Sequence, residues 1–144
     1  MHKLNIGITG STGILGKKLI LLNKKKYKFI KFKGDITSKK DVFNWIQGKN
    51  LNCLFHFAAI VPTFKVKNNY KYALKVNYNG TKNIVDALNN FKQKKIKWFF
   101  FSSSSHVYNF SKKKLTEKFN CNPITYYGKL KLQAEKYLLK NNKN

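Results

Sequence analysis

The opening stretch, MHKLNIGITGSTGILG (residues 1–16), constrains the fold more than any other part of the chain. Leu4, Ile6 and Ile8, with small or polar residues between them, read as a buried strand that ends at Thr9. Gly10, Gly13 and Gly16 follow at once with the spacing G-x-x-G-x-x-G, and Ile14, Leu15, Leu19, Ile20 and Leu22 then predict an amphipathic helix. Each glycine has its own reason to lack a side chain. Gly10 allows a sharp turn off the strand, Gly13 lets a pyrophosphate approach the backbone, and Gly16 lets the helix pack closely on the sheet. Free N–H groups at the helix start, around Thr12, Gly13, Ile14 and Leu15, would face the phosphates. The opening therefore predicts an α/β domain with a dinucleotide turn.

A length of 144 residues fits one domain, able to bury about 68–70% of its unfolded surface. The formal charge of +25 invites a nucleic-acid reading, but all 30 basic residues are lysine, and phosphate and base recognition draws on the bidentate fork of arginine. The lysines are scattered over every segment, so they predict a solvated surface with weak, salt-sensitive affinity for anything acidic and no specific nucleic-acid partner. Cys53 in an apolar strand and Cys121 in a loop make neither a disulfide framework nor a metal-ligand spacing. A reducing cytoplasm fits that usage, no metal is expected, and no apolar run is long enough for a membrane span.

Further along, Tyr27 to Phe32 alternates apolar and polar residues and predicts a second strand, followed by Gly34-Asp35-Ile36-Thr37. An acid about twenty residues past such a glycine turn is placed to read a cofactor ribose or adenine. Asp35 favours NAD, whereas Lys31 and Lys33 beside it suit a 2′-phosphate, so NAD and NADP both remain open. Asp35 also reads as a turn or capping acid. A helix is predicted over Asp41 to Gln47 with Gly48 as its stop, then a buried strand over Leu51 to Ala59. His56, at the carboxyl end of that strand, reads as a satisfied structural histidine rather than a catalyst. A long helix is predicted from Asn68 to Phe91, with an apolar stripe of Tyr72, Leu74, Val76, Ile84, Val85 and Leu88. Asn77 and Gly80 weaken its middle and so need a packing or site reason. Lys97 to Phe101 is the last strand, ending in the serine run from Ser102 to Ser105. Beyond a lysine-rich loop, Tyr126 opens a final helix, on which Tyr127 and Lys131 stand at i and i+4 on one face. Asn141 to Asn144 predict a disordered tail, which leaves residues 1–140 as the dinucleotide-binding domain.

These motifs together resemble the extended branch of the short-chain dehydrogenase/reductase superfamily, the NAD-dependent epimerase/dehydratase family. The resemblance is carried by Thr9-Gly10-x-x-Gly13-x-x-Gly16, by Gly34 to Thr37, and by His56-Phe57-Ala58-Ala59 as an H-x-A-A element. It extends through Val76-Asn77-x-x-Gly80-Thr81, the serine run before Val107-Tyr108, and Tyr127-x-x-x-Lys131. It implies a Rossmann-type doubly wound parallel sheet flanked by helices, truncated before a C-terminal substrate lobe. By this resemblance Asp35 and Ile36 lie beside the adenine, Phe57, Ala58 and Ala59 let the cofactor ribose lie against the backbone, and Asn77 positions the strand beside the cofactor. Ser102 joins the cofactor site, and Ser104, aligned on Val107-Tyr108, is the active-site serine. Asn109 stands where the family has glycine. Tyr127 moves the proton, and Lys131 both lowers the Tyr127 pKa and hydrogen-bonds the nicotinamide ribose.

The implied activity is NAD(P)-dependent hydride transfer at a secondary alcohol or ketone of a nucleotide sugar, in polysaccharide synthesis. Family dehydratases carry Thr-Asp-Glu where this chain has Ser104, Ser105 and His106, so an epimerase or reductase is expected. His106 reads either as an extra acid/base or as a loop residue facing water. The remaining alternatives are a dinucleotide-binding module without catalysis and, further off, a basic nucleic-acid binder. Members of the branch continue well beyond this length, so a homodimer or a complementing second chain is an expected partner beside the sugar nucleotide.

Overall fold

Runs rich in β-branched and aromatic residues build the sheet, and the computed structural model describes residues 3–61, 63–90 and 96–141. Strands β1 (Asn5–Thr9), β2 (Lys28–Lys31), β3 (Cys53–His56) and β4 (Trp98–Phe101) are parallel, in the order β2-β1-β3-β4. Parallel neighbours need crossovers. These are supplied by α1 (Ile14–Asn23), α2 (Lys39–Gln47) and the helical region ending in α5 (Gly80–Asn90). The doubly wound α/β fold expected from the sequence is the fold observed.

Paired residues share a face, so Gly7, Leu54 and Phe99 form one row and Thr9, His56 and Phe101 the next on the same side. On that side Leu54 packs with Val42, Trp45 and Ile46 of α2 and with Ile84, Ala87 and Leu88 of α5. The opposite side is thinner. Ile6 and Ile8 are buried there, but Phe55, Trp98 and Phe100 form a ring cluster with Trp98 50% and Phe100 38% exposed. Helix α1 only partly buries the apolar stripe predicted for it: Leu19 and Ile20 are half-buried, but Ile14, Leu15 and Leu22 are exposed, as is Leu21. Its apolar residues fall at consecutive positions and wrap around the helix, so no single face can cover them.

The helix predicted from Asn68 to Phe91 is broken. It is divided into α3 (Thr63–Asn68), α4 (Tyr70–Leu74), a π-helical turn (Lys75–Asn79) and α5, while Phe91 lies outside the described residues. Asn69, with φ −137° and ψ 65°, interrupts the helix, and its side chain accepts the Tyr72 N–H at 3.2 Å to cap α4. Val76, Ile84, Val85 and Leu88 of the expected stripe are buried, but Tyr72 is 54% exposed. Gly48 ends α2 as predicted but without a left-handed bend, at φ −74° with its N–H on the Asn44 carbonyl at 2.8 Å.

Helix α6 (Tyr126–Asn141) packs against α5 and the π turn. Asn141, expected in the tail, is its last residue, and the Asn141 Nδ2 donates to the Tyr137 carbonyl at 2.8 Å. Residues 142–144 of that expected tail lie outside the described residues. Lys82 and Tyr137 converge on Asp86: Lys82 Nζ donates to Oδ2 at 2.6 Å and the Tyr137 hydroxyl to Oδ1 at 2.5 Å. Burial opposes ionisation of Asp86, yet the hydrogen bonds from Lys82 and Tyr137 hold its carboxyl below the ordinary range. Tyr137→Phe is expected to lower stability by about 1 kcal/mol, read as a reduced urea midpoint, with no change expected for the solvent-facing Tyr72→Phe.

Candidate active site

The turn after β1 has the geometry that the glycine spacing predicts. Gly10 adopts φ +66°, the left-handed region, and a Cβ there would meet the Ala58 nitrogen at 2.6 Å and the Phe57 carbonyl carbon at 2.7 Å. A Cβ on Gly16 would run into the Gly10 carbonyl, so this glycine serves close packing of helix on turn rather than of helix on sheet. Gly13 is the N-cap of α1, with no side-chain cap and no acid in the first turn. Thr12, Gly13, Ile14 and Leu15 are all exposed around that helix start. A tight turn between two glycines, opening on an uncapped helix N-terminus, fits a pyrophosphate, but the Gly13 N–H expected to face it is spent on the Gly10 carbonyl at 3.1 Å.

Asp35 is exposed at the end of β2, but both its oxygens are engaged: the Thr37 N–H donates to Oδ1 at 2.8 Å and the Thr37 hydroxyl to Oδ2 at 2.9 Å. Its turn role is therefore visible in the geometry. Ile36 is buried against Gly80, where a Cβ would meet the Ile36 Cγ1 at 3.0 Å. That contact is the packing reason Gly80 required. Asn77 sits in the π turn and clasps one residue of the β3 exit: the Ile60 N–H donates to its Oδ1 at 2.7 Å and its Nδ2 donates to the Ile60 carbonyl at 3.1 Å. Phe57, Ala58 and Ala59 line the same exit, half-buried.

At the end of β4 the Ser102 N–H donates to the His56 carbonyl at 3.2 Å, and the Ser102 carbonyl accepts from Lys131 Nζ at 2.7 Å. Ser104 caps a short 3₁₀ turn, its Oγ accepting the His106 N–H at 3.2 Å. Tyr127 and Lys131 both project from α6 toward this strand end and are 9% and 3% exposed. A Cβ on Gly128 would collide with the His106 carbonyl, so α6 lies hard against the serine turn. The exposed His106 ring stands edge-on to Tyr127, with centroids 5.7 Å apart. Asn109, in place of the family glycine, keeps a negative φ and accepts the Phe110 N–H at 2.7 Å.

One expectation fails in this state of the protein. Lys131 does not lower the Tyr127 pKa; burial raises it, and a hydrogen bond with Ser104 pulls the other way. The Lys131 ammonium is turned to the Ser102 carbonyl, 4.7 Å from the Phe101 ring centroid and 5.9 Å from that of Tyr127. Burial also lowers Lys131 itself to about 8, with the Glu135 carboxylate acting against it.

His56 is the satisfied structural histidine that the sequence predicts, although its two partners were not foreseen. His56 lies between two hydroxyls, Nδ1 at 2.7 Å from Thr9 Oγ1 and Nε2 at 2.9 Å from Thr81 Oγ1. The signal was present in Thr9 and Thr81, threonines within quoted motifs whose hydroxyls had no assigned role. Burial, then the Lys131 charge, lower the His56 pKa to about 3.

Gly10→Ala is expected to cost about 3 kcal/mol, measured by urea unfolding, because the left-handed backbone and the Ala58 contact both oppose a Cβ. Acid should also unfold the chain through His56. Its folded pKa lies below the ordinary value of 6.5, so the unfolded state binds the extra proton first. The stabilising neutral ring is fully present above about pH 6.5, and its contribution declines as pH falls toward about 3. His56→Gln should flatten the decline between those limits.

Comparison with known proteins adds the identity of the architecture. The sequence pattern of the NAD dependent epimerase/dehydratase family matches residues 6–144. UDP-glucose 4-epimerase of Lactobacillus helveticus is 33% identical over 110 residues, 74% of this chain and 32% of that protein. The human sterol-4-alpha-carboxylate 3-dehydrogenase, decarboxylating, is 31% identical over 112 residues, 75% of this chain and 28% of that one. The dTDP-4-dehydrorhamnose reductase of Bacillus anthracis, solved in complex with NADP, superposes with a TM-score of 0.87 at 25% identity, covering 99% of this chain and 51% of that one. The chain thus spans about a third of its curated relatives and half of that solved structure. With the glycine turn, the parallel sheet and the Tyr127-x-x-x-Lys131 pair in place, the chain belongs to the NAD dependent epimerase/dehydratase family.

Proposed function

We propose that this chain binds NAD or NADP at the Gly10–Gly16 turn and supplies the proton-transfer groups of a nucleotide-sugar epimerase or reductase. The observation that supports the reading best is the meeting of two strand ends. Thr9, which leads into the glycine turn, is paired with His56, and His56 with Phe101, over which Lys131 lies. Dinucleotide turn and tyrosine–lysine pair therefore share the carboxyl edge of one sheet, where ligands of doubly wound folds bind.

Backbone around Thr12 to Leu15 would hold the pyrophosphate, with Ile36, Phe57, Ala58, Ala59 and Ser102 along the rest of the dinucleotide. Asp35 reads the adenosine ribose once Thr37 yields one of its contacts. Bound dinucleotide would supply hydride acceptance and return at the sugar carbon. Ser104 would hold the substrate oxygen by a hydrogen bond, and Tyr127 would move its proton. Burial keeps the phenol protonated, so the proton for a ketone oxygen is in place, and its release must be helped by the charge that develops on that oxygen. Lys131, released from the Ser102 carbonyl, would hydrogen-bond the nicotinamide ribose and favour the phenolate for the return direction. The sugar nucleotide's diphosphate suits a chain of charge +25. A homodimer or a complementing second chain is the proposed partner beside the sugar nucleotide, and the reading places the protein in a reducing cytoplasm.

A second reading, dinucleotide binding without hydride transfer, is favoured by the Lys131–Ser102 contact, which turns the ammonium from the phenol. Calorimetry with both dinucleotides, followed by turnover assays on UDP- and dTDP-sugars, separates the two. Saturable binding with turnover is expected, and Tyr127→Phe should keep binding while losing roughly a thousandfold in kcat. Binding without any turnover establishes the second reading. Failure to bind either dinucleotide overturns both.

A further inference from the structure

Four polar residues are almost wholly buried beneath the glycine turn: Thr9, His56, Thr81 and Asn77, each 0–1% exposed. Their hydrogen bonds admit one direction only. The Ala58 N–H donates to Thr9 Oγ1 at 3.2 Å, and Thr9 Oγ1 lies 2.7 Å from His56 Nδ1. At the other ring nitrogen, Nε2 lies 2.9 Å from Thr81 Oγ1, whose own hydrogen donates to the Asn77 carbonyl at 3.1 Å. With the Thr81 hydrogen assigned to the Asn77 carbonyl, Thr81 accepts from Nε2–H and Nδ1 is the bare nitrogen that accepts from Thr9, the arrangement in which both hydroxyl hydrogens have an acceptor. The opposite tautomer, or an imidazolium, would leave the Thr9 hydroxyl without an acceptor in a place water does not reach.

We propose that Thr9, His56 and Thr81 form a one-way hydrogen-bond relay, with His56 fixed as the neutral Nε2–H tautomer, that positions the β1 and β3 exits for dinucleotide binding. The inference rests on the dinucleotide reading above and gives these residues a positioning role within it. The relay begins at Ala58, on the segment beside the expected ribose, and ends at Asn77, whose side chain clasps Ile60 of the same exit. It therefore ties the β1 exit, the β3 exit and the π turn into one unit. The ring is also 5.8 Å from that of Phe101, on which the Lys131 ammonium rests. A second cation there would oppose the first.

The ring of His56 can be read directly by two-bond ¹H–¹⁵N correlation on the ¹⁵N-histidine-labelled full chain, with His56→Gln used to assign its signals. A protonated Nε2 with a bare Nδ1 is expected; the reverse tautomer or a doubly protonated ring overturns the relay. Dinucleotide affinity is the second readout. Thr9→Val should weaken NAD or NADP binding roughly tenfold, and Thr9→Ser, which keeps the hydroxyl, should restore it to within about twofold. Urea unfolding of each variant confirms that the protein measured is folded. Unchanged affinity in Thr9→Val, or affinity in Thr9→Ser as weak as in Thr9→Val, overturns the positioning role. If the wild-type chain binds neither dinucleotide, the functional reading fails and the positioning role with it, while the ring spectrum still decides the relay.

Discussion

The parallel register of three strands carries the site. Thr9 of β1 is aligned with His56 of β3, and His56 with Phe101 of β4, so the last residues of these strands form a row at one edge of the sheet. Three parts of the candidate site are attached to that row, the glycine turn leaving Thr9, the small-residue exit leaving His56 and the serine run leaving Phe101, while Tyr127 and Lys131 reach it from α6. A slip of one residue between β3 and either neighbour would turn its buried side chains to the wrong face. Leu54, packed among Val42, Trp45 and Ile84, would leave the core in that event.

Burial gives the tyrosine–lysine pair an unexpected character. Tyr127 is pushed up and Lys131 down, to about 8, so the interior favours the uncharged form of each. The phenol is consequently protonated in this state and gives up its proton less readily than a free tyrosine, with the His106 ring edge-on to it and Ser104 hydrogen-bonded to it. The Lys131 ammonium, meanwhile, is held by the Ser102 carbonyl and the face of Phe101. The same strand end thus supplies both the hydroxyl that faces the phenol and the carbonyl that holds the cation.

Much of the fold was legible because it rests on local signals. The β1 pattern, the glycine spacing and the Tyr127–Lys131 offset each depend on a few neighbouring residues, and all appear where expected. Features set by partners distant in sequence were not legible. Asn77 was recognised as anomalous in a helix, but its clasp on Ile60 spans 17 residues. Which hydroxyls His56 meets depends on 47- and 25-residue separations. The exposure of α1 follows from apolar residues spread around the whole helix, a pattern that the reading as one stripe overlooked. The direction of Lys131 was missed for a related reason: i and i+4 place two side chains on one face, while a free carbonyl decides where the ammonium turns.

Helix α6 behaves as a beam supported at both ends. Near its start Gly128 lies against the His106 carbonyl, and ten residues beyond Tyr127 the ring of Tyr137 is tied to Asp86 and lies under the Lys82 ammonium. At about 1.5 Å of rise per residue these supports, Gly128 and Tyr137, stand roughly 13 Å apart. A tilt allowed at the far support would turn α6 about Gly128, next to Tyr127, so the angle at which the phenol meets the serine turn depends partly on an ion pair of the neighbouring helix α5.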